Sequence, residues 1–146
     1  MELVVFSGIQ GSGKSTFFQH RFATTHIRIS LDVVRTRQRE DVLLFACLSI
    51  GQSVVVDNTS PTQEQRHRYA QLAKSAGMTP ILYYFDTHID DALRRNNARP
   101  ETWRVPEIGV RGTFAKLQYP TPAEEFERIY IVKNLDNSEW NVEQIK

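Results

Sequence analysis

Short apolar runs alternate along this chain with longer stretches of helical spacing. Leu3-Val4-Val5-Phe6 is apolar at every position, the mark of a strand covered on both faces. A helix is predicted over Ser15 to Ala23, a short strand over His26 to Ser30, and a largely helical stretch from Asp32 to Ile50 that ends at Gly51. Ser53-Val54-Val55-Val56 is a β-branched strand that stops at Asp57. The next helix carries its own punctuation: Ser60 as N-cap, Pro61 at the first helical position and Gly77 as the stop. Between them Tyr69, Leu72, Ala73 and Ala76 keep an apolar stripe. Ile81 to Phe85 reads as a strand, Asp90 to Asn97 as a helix and Ala98 to Val105 as a loop. Pro106 to Gln118 has helical spacing interrupted by Gly109 and Gly112, and Arg128 to Val132 alternates like a last strand. The polar tail after Lys133 carries no pattern.

Alternating strands and helices with run-like strands give an α/β fold, a parallel sheet of about five strands with helices on both faces. In such sheets ligands sit beyond the carboxyl ends of the strands. The Gly8 loop, Asp32 and Asp57 each follow a predicted strand.

Composition narrows the class only a little. The chain has 146 residues and no repeats or linkers, so residues 1–146 are expected to form a single domain. Eighteen basic and 17 acidic residues leave a net charge of +1, so any basic patch must be local. Cys47 is the one cysteine. It excludes an internal disulfide and any multi-cysteine metal site, and its apolar neighbours predict a buried, inert thiol. The histidines at 20, 26, 67 and 88 lack metal-ligand spacing. No apolar run approaches the ~18 residues of a membrane span, and Met1-Glu2 does not begin a signal peptide, so a cytoplasmic protein is expected, with no membrane partner.

Gly8-Ile9-Gln10-Gly11-Ser12-Gly13-Lys14-Ser15 fits G-x-x-x-x-G-K-[ST], followed by Thr16. Glycines let the backbone bring its N–H groups close to phosphate oxygens, and the helix that follows favours anions at its N-terminus. Gly8, Gln10, Gly11, Ser12, Gly13, Lys14, Ser15 and Thr16 are therefore candidate nucleotide-binding residues. Lys14 would reach the β- and γ-phosphates, and Ser15 would ligate Mg²⁺.

Four further segments resemble one family of P-loop enzymes, the polynucleotide 5′-hydroxyl kinases of phage and of the mammalian DNA-repair enzyme. Ile29-Ser30-Leu31-Asp32-Val33-Val34-Arg35 is similar to their strand-end Asp followed by Arg. Val55-Val56-Asp57-Asn58-Thr59-Ser60-Pro61 resembles their D-N-T-N-P segment, continued through Arg66, Arg68 and Tyr69. Arg95-Asn96-Asn97-Ala98-Arg99 resembles their arginine-bearing lid, and Val105-Pro106 with Tyr119 to Phe126 their closing segment. The resemblance implies a three-layer P-loop kinase fold with a small lid, and transfer of the γ-phosphoryl group of ATP to a 5′-hydroxyl end of DNA or RNA with Mg²⁺. The D-x-D-x-[TV] pair that would begin the phosphatase domain of those enzymes does not occur.

On this reading Lys14, Asp32 and Arg99 are catalytic. Asp32 is the general base for the attacking hydroxyl, a role its carboxylate could share with capping the following helix. Arg35, three residues on, would face the same way on the first helical turn and bind the acceptor with Asp32 and Asp57. Asp57, at the end of its valine strand, would emerge near Ser15; it could instead hold Mg²⁺, partly through water. Arg95 and Arg99, spaced i, i+4, would share a helix face toward the phosphates, with Arg95 on the nucleotide. Leu31 stands where these kinases usually carry a basic residue. That departure and the near-neutral net charge keep open a kinase of a small-molecule or aminoacyl-tRNA hydroxyl; a nucleotide-binding switch without kinase activity is a further alternative of a different class.

Overall fold

The computed structural model describes residues 1–146. The strands are β1 (Glu2–Ser7), β2 (Ile27–Ile29), β3 (Val54–Asp57), β4 (Thr79–Phe85), β5 (Arg128–Asn134) and β6 (Trp140–Gln144). The helices are α1 (Lys14–Arg21), α2 (Leu31–Val34), α3 (Arg37–Ile50), α4 (Gln63–Ser75), α5 (Ile89–Asn97) and α6 (Glu107–Lys116), with a 3₁₀ turn at Glu101–Trp103. All strands join one sheet in the order β2-β3-β1-β4-β5-β6. The first five are parallel, and β6 runs antiparallel to β5. The sixth strand comes from the tail that has no readable period: its residues alternate between partial and full exposure, and only pairing to β5 makes it a strand.

The run-like strands are covered on both faces. Leu3, Val5, Val54 and Val56 pack with Leu44, Cys47, Tyr69, Ala70 and Ala73 of α3 and α4. Val4, Phe6 and Val55 pack on the opposite face with Phe17 and Phe18 of α1 and with Phe22. Cys47 is buried, and that burial pushes its thiol pKa up, as expected for an inert side chain. A smaller core of Ile9, Ala92, Leu93 and Val110 ties α5 and α6 to the glycine loop.

Two local expectations change. The predicted helix from Asp32 to Ile50 breaks at Arg35, which takes φ +74°. The cause is a new cap: the Thr36 side chain accepts the Arg39 N–H and starts α3 afresh. The N-cap of α4 is Thr62, not Ser60. Thr62 and Gln65 form a reciprocal capping box, while Ser60 sits at φ +37° with its carbonyl engaged by the Ser7 hydroxyl. At the far end Gly77 (φ +72°) does stop α4, with Met78 N–H on the Ala73 carbonyl. As its helical spacing predicts, α6 forms despite Gly109 and Gly112, with buried Val110 anchoring it to α5.

The chain leaves β1 toward β2 on one side of β3 and leaves β3 toward β4 on the other side of β1. The carboxyl ends of β1 and β3 therefore form the switch-point crevice of the sheet.

Candidate active site

The glycine loop lies at the mouth of that crevice, packed closely against α5 and the end of β5. A Cβ at Gly11 (φ +81°) would lie 2.3 Å from the Ala92 carbonyl oxygen of α5, and one at Gly13 (φ +92°) 2.5 Å from Asn134 Nδ2. Gly13 also caps α1 without any side-chain bond, and no acidic residue stands in the first turn. The first N–H groups of α1 are thus left for an anion. Gln10 reaches α6 through Thr113 at 3.3 Å, and the buried Gln10 Oε1 and Ser12 Oγ have no hydrogen-bond partner.

Lys14 folds over the loop, its ammonium donating to the Gly8 and Ile9 carbonyls, each at 3.0 Å. Burial of this inward-turned group pulls its pKa from 10.5 down to about 8; Asp57 and Asp32 oppose the shift, while Arg99 and Arg28 reinforce it. These five side chains therefore share one electrostatic neighbourhood. Of the site residues expected from sequence, Asp32, Asp57 and Arg99 lie in it.

Asp57 and Ser15 meet directly: Ser15 Oγ donates to Asp57 Oδ2 at 3.2 Å, and the Asp57 side chain is only 2% exposed. Arg28, on the short edge strand β2, closes this pair. Its Nε lies 2.7 Å from Asp57 Oδ2 and its Nη2 3.0 Å from Ser15 Oγ. A cation thus stands at this rim although position 31 is leucine. Two hard oxygens from Ser15 and Asp57, beside a loop shaped for phosphates, fit Mg²⁺, which commonly takes one or two protein oxygens and completes its shell with phosphate and water.

The Asp32 turn is built differently. Ser30, not Asp32, caps α2 by accepting the Asp32 N–H at 3.2 Å, so the Asp32 carboxylate is exposed and free of the capping role. The Leu31 N–H donates to Asn58 Oδ1 at 2.9 Å, and Asn58 Nδ2 donates to Glu40 Oε2 at 2.8 Å. Glu40 is fully buried and also accepts from Tyr69 Oη at 2.7 Å and Arg37 Nη1 at 3.2 Å. Burial and then Glu40 push the Tyr69 hydroxyl up to about 12. The D-N-T-S segment thus works mainly as a brace. Asn58 holds the Asp32 turn, the Thr59 carbonyl accepts the Gly8 N–H at 2.9 Å, and the Ser60 carbonyl accepts from Ser7. Arg66, also buried, grips Glu124 of the closing segment through both oxygens and reaches Ser7 Oγ at 3.2 Å.

Two arginines depart from expectation. Arg35 leaves the helical turn at its positive φ, so it does not share a helical face with Asp32, and it is not among the charges acting on Lys14. Arg99 lies beyond α5, whose C-cap is Ala98, so no helix face joins it to Arg95. Both still line one cavity of about 230 Å³ beside Gly11, Gly13 and Thr16, closed by Asn134, Asp136 and Trp140. Arg95 is spent on the walls, bonding Asp136 Oδ1 at 3.2 Å and the Gly11 carbonyl at 3.4 Å. Together with Arg94 it holds the Asp136 carboxyl below its usual range. The Trp140 indole N–H is buried there without a partner.

Residues 36–119 match a family model described as an AAA domain. The chain belongs to this AAA-domain family. The matched residues exclude the Lys14 loop, so the assignment is independent of that motif. The domain is 29% identical over 133 residues to a bifunctional polynucleotide phosphatase/kinase of Schizosaccharomyces pombe, an alignment covering 88% of this chain and 32% of the relative. It is also 29% identical to a putative bifunctional polynucleotide phosphatase/kinase of Acanthamoeba polyphaga mimivirus, with 95% and 36% covered. The chain thus spans about a third of the length of these curated relatives. Among solved structures the fold is similar to Chaetomium thermophilum Kti12 in complex with ADP-AlF3 (TM-score 0.64, 16% identity, 92% of this chain and 90% of that one). It is also similar to a gluconokinase from Sinorhizobium meliloti 1021 (TM-score 0.59, 15% identity, 89% and 82%). The fold is therefore that of the P-loop kinases. No helix is long and apolar enough to cross a membrane.

Proposed function

We propose that this domain transfers the γ-phosphoryl group of ATP to the 5′-hydroxyl end of a DNA or RNA strand. The observation that carries the reading is the exposed Asp32 carboxylate, free of the capping role and in the same electrostatic neighbourhood as Lys14 and Arg99. The names of the curated relatives support the acceptor class. In the reaction the acceptor oxygen forms a bond to the γ-phosphorus while its proton passes to Asp32; the bond to the β,γ-bridging oxygen breaks and ADP leaves with that electron pair. Lys14, the free N–H groups of α1 and Arg99 take up the charge on the transferring group. Ser15 and Asp57 would hold Mg²⁺, which when bound neutralises phosphate charge. The cavity by Thr16 and Trp140 is the place for the donor nucleoside. Arg35 stands at the acceptor rim for the strand's own phosphate.

Leu31, in place of a basic residue, favours a second reading in which the acceptor is a small hydroxyl compound. An acceptor panel with labelled ATP separates the two: 5′-hydroxyl DNA, 5′-hydroxyl RNA and pooled small hydroxyl compounds, with and without competing oligonucleotide. Label on oligonucleotide ends, lost steeply as salt rises, is expected. Label only on small compounds, undiminished by excess oligonucleotide, overturns the polynucleotide reading. Hydrolysis without any labelled acceptor returns the protein to the switch class.

A further inference from the structure

We infer that Arg28 is an internal counter-cation that occupies the metal ligands Ser15 and Asp57, so that Mg²⁺ enters the site only together with nucleotide. The inference rests on the assignment of those two oxygens to Mg²⁺ made above. Three distances close a triangle: Arg28 Nε to Asp57 Oδ2 at 2.7 Å, Arg28 Nη2 to Ser15 Oγ at 3.0 Å, and Ser15 Oγ to Asp57 Oδ2 at 3.2 Å. The same carboxylate oxygen and the same hydroxyl are the hard donors available to a metal. No cluster of three or more His, Cys, Asp and Glu side chains assembles elsewhere in the chain to hold one.

The physical reason for such a device is the burial of Asp57, whose side chain is 2% exposed. A buried carboxylate without a partner is costly, so something positive must balance it when no metal is bound. A guanidinium cannot release its proton to escape the contact and can only move. Arg28 has room to move: β2 is the edge strand of the sheet and the Arg28 side chain is 25% exposed. Lys14 and Arg99 are already in this neighbourhood. A divalent cation arriving alone would therefore meet three positive side chains against the two carboxylates Asp57 and Asp32, a net positive site, whereas one arriving on a triphosphate brings its own negative charge. Arg28 thus acts as a positioning residue. It holds Asp57 and Ser15 in register for the metal and withdraws when Mg²⁺·nucleotide takes its place.

The test is Mg²⁺ titration without nucleotide, read by calorimetry and by thermal unfolding, on the wild type, Arg28→Gln, Asp57→Asn and the double variant. Arg28→Gln is expected to bind Mg²⁺ roughly tenfold or more tightly than the wild type, and Mg²⁺ should restore the thermal stability that this variant loses. Asp57→Asn should cancel the gain in the double variant. Circular dichroism checks the fold, and Arg28→Lys, which keeps the charge without the fork, should fall between. In the wild type, the Arg28 Nε–H signal in ¹⁵N NMR should be protected from exchange without ligand and lose that protection with Mg²⁺·nucleotide. A folded Arg28→Gln protein with unchanged or weaker Mg²⁺ affinity overturns the inference, as does an Nε–H signal indifferent to Mg²⁺·nucleotide. If Asp57→Asn alone leaves nucleotide-dependent Mg²⁺ binding intact, the metal assignment of Asp57 fails, and the inference with it. If Asp57→Asn weakens that binding while Arg28→Gln strengthens nothing, only the inference fails.

Discussion

The two rims of the crevice are made in opposite ways. The donor rim is a contiguous loop whose function lies in backbone N–H groups and whose glycines are hemmed in by α5 and β5, down to 2.3 Å for a Cβ at Gly11. The rim proposed for the acceptor is a turn of exposed side chains, Asp32 and Arg35, held from below by Leu31, Asn58 and the buried Glu40. The first is rigid because nothing else fits. The second is rigid only as far as a hydrogen-bond chain spanning three elements makes it so. A phosphate group is the same in every donor and suits a fixed cradle, whereas acceptors differ and suit side chains that can be exchanged on a fixed brace.

This contrast can be broken most severely at Asp32. Asp32→Asn is expected to lower turnover on a 5′-hydroxyl oligonucleotide by about 10²–10⁴-fold, while equilibrium nucleotide affinity stays as in the wild type. Turnover near normal would remove the acceptor rim's claim to the chemistry. Glu40→Gln probes the brace. It removes the buried charge that Asn58, Tyr69 and Arg37 share and should cost about 1–3 kcal/mol in chemical denaturation. It should also raise the acceptor KM with little change in nucleotide affinity. A change in nucleotide affinity as large as that in acceptor KM would show that the rims are not separate.

Gly11→Ala tests the cradle. Its positive φ and the approach to the Ala92 carbonyl predict a loss of about 1–3 kcal/mol in thermal unfolding, together with weakened nucleotide binding. Gly112→Ala, in α6 with open space around the added methyl, should instead stabilise by up to about 1 kcal/mol. Equal outcomes at the two glycines would refute the account of the loop.

The smallest effect is a proton. With Lys14 lowered to about 8 in the free protein, nucleotide affinity should decline as pH rises through 8, because the ammonium is the form that attracts phosphate. Bound phosphates favour the charged form and raise this pKa, so binding near pH 8.5 should take up a fraction of a proton. Calorimetry in buffers of different ionisation enthalpy measures it, and Lys14→Met should abolish it.

Local features were legible in the sequence: the Lys14 loop, the buried strands and the Gly77 stop each depend on a few consecutive residues. Features that depend on a remote partner were not. Thr36 starts a new helix inside the stretch that periodicity ran on from Asp32, and Thr62 takes the N-cap that Ser60 and Pro61 suggested, since a cap is decided by which hydroxyl reaches an N–H. Arg28 and Glu40 lie in no motif; their roles come from the Asp57 carboxylate, the Asn58 amide and the Tyr69 hydroxyl, 18 to 29 positions away. A buried-acid signal for Glu40 was faintly available in its place on the helix face shared with Leu44 and Cys47.

By itself the sequence determined that a triphosphate cradle stands at the end of the first strand of a parallel sheet, because glycine spacing and apolar runs act over a single turn or strand. Only the tertiary structure decided which charges face that cradle. It set Arg28 between Asp57 and Ser15, whose approach the strand pattern already implied, freed Asp32 by giving its cap to Ser30, and turned Arg35 out of the helical path. Charges act through space, and the neighbours that fix their partners are set by the order of strands in the sheet.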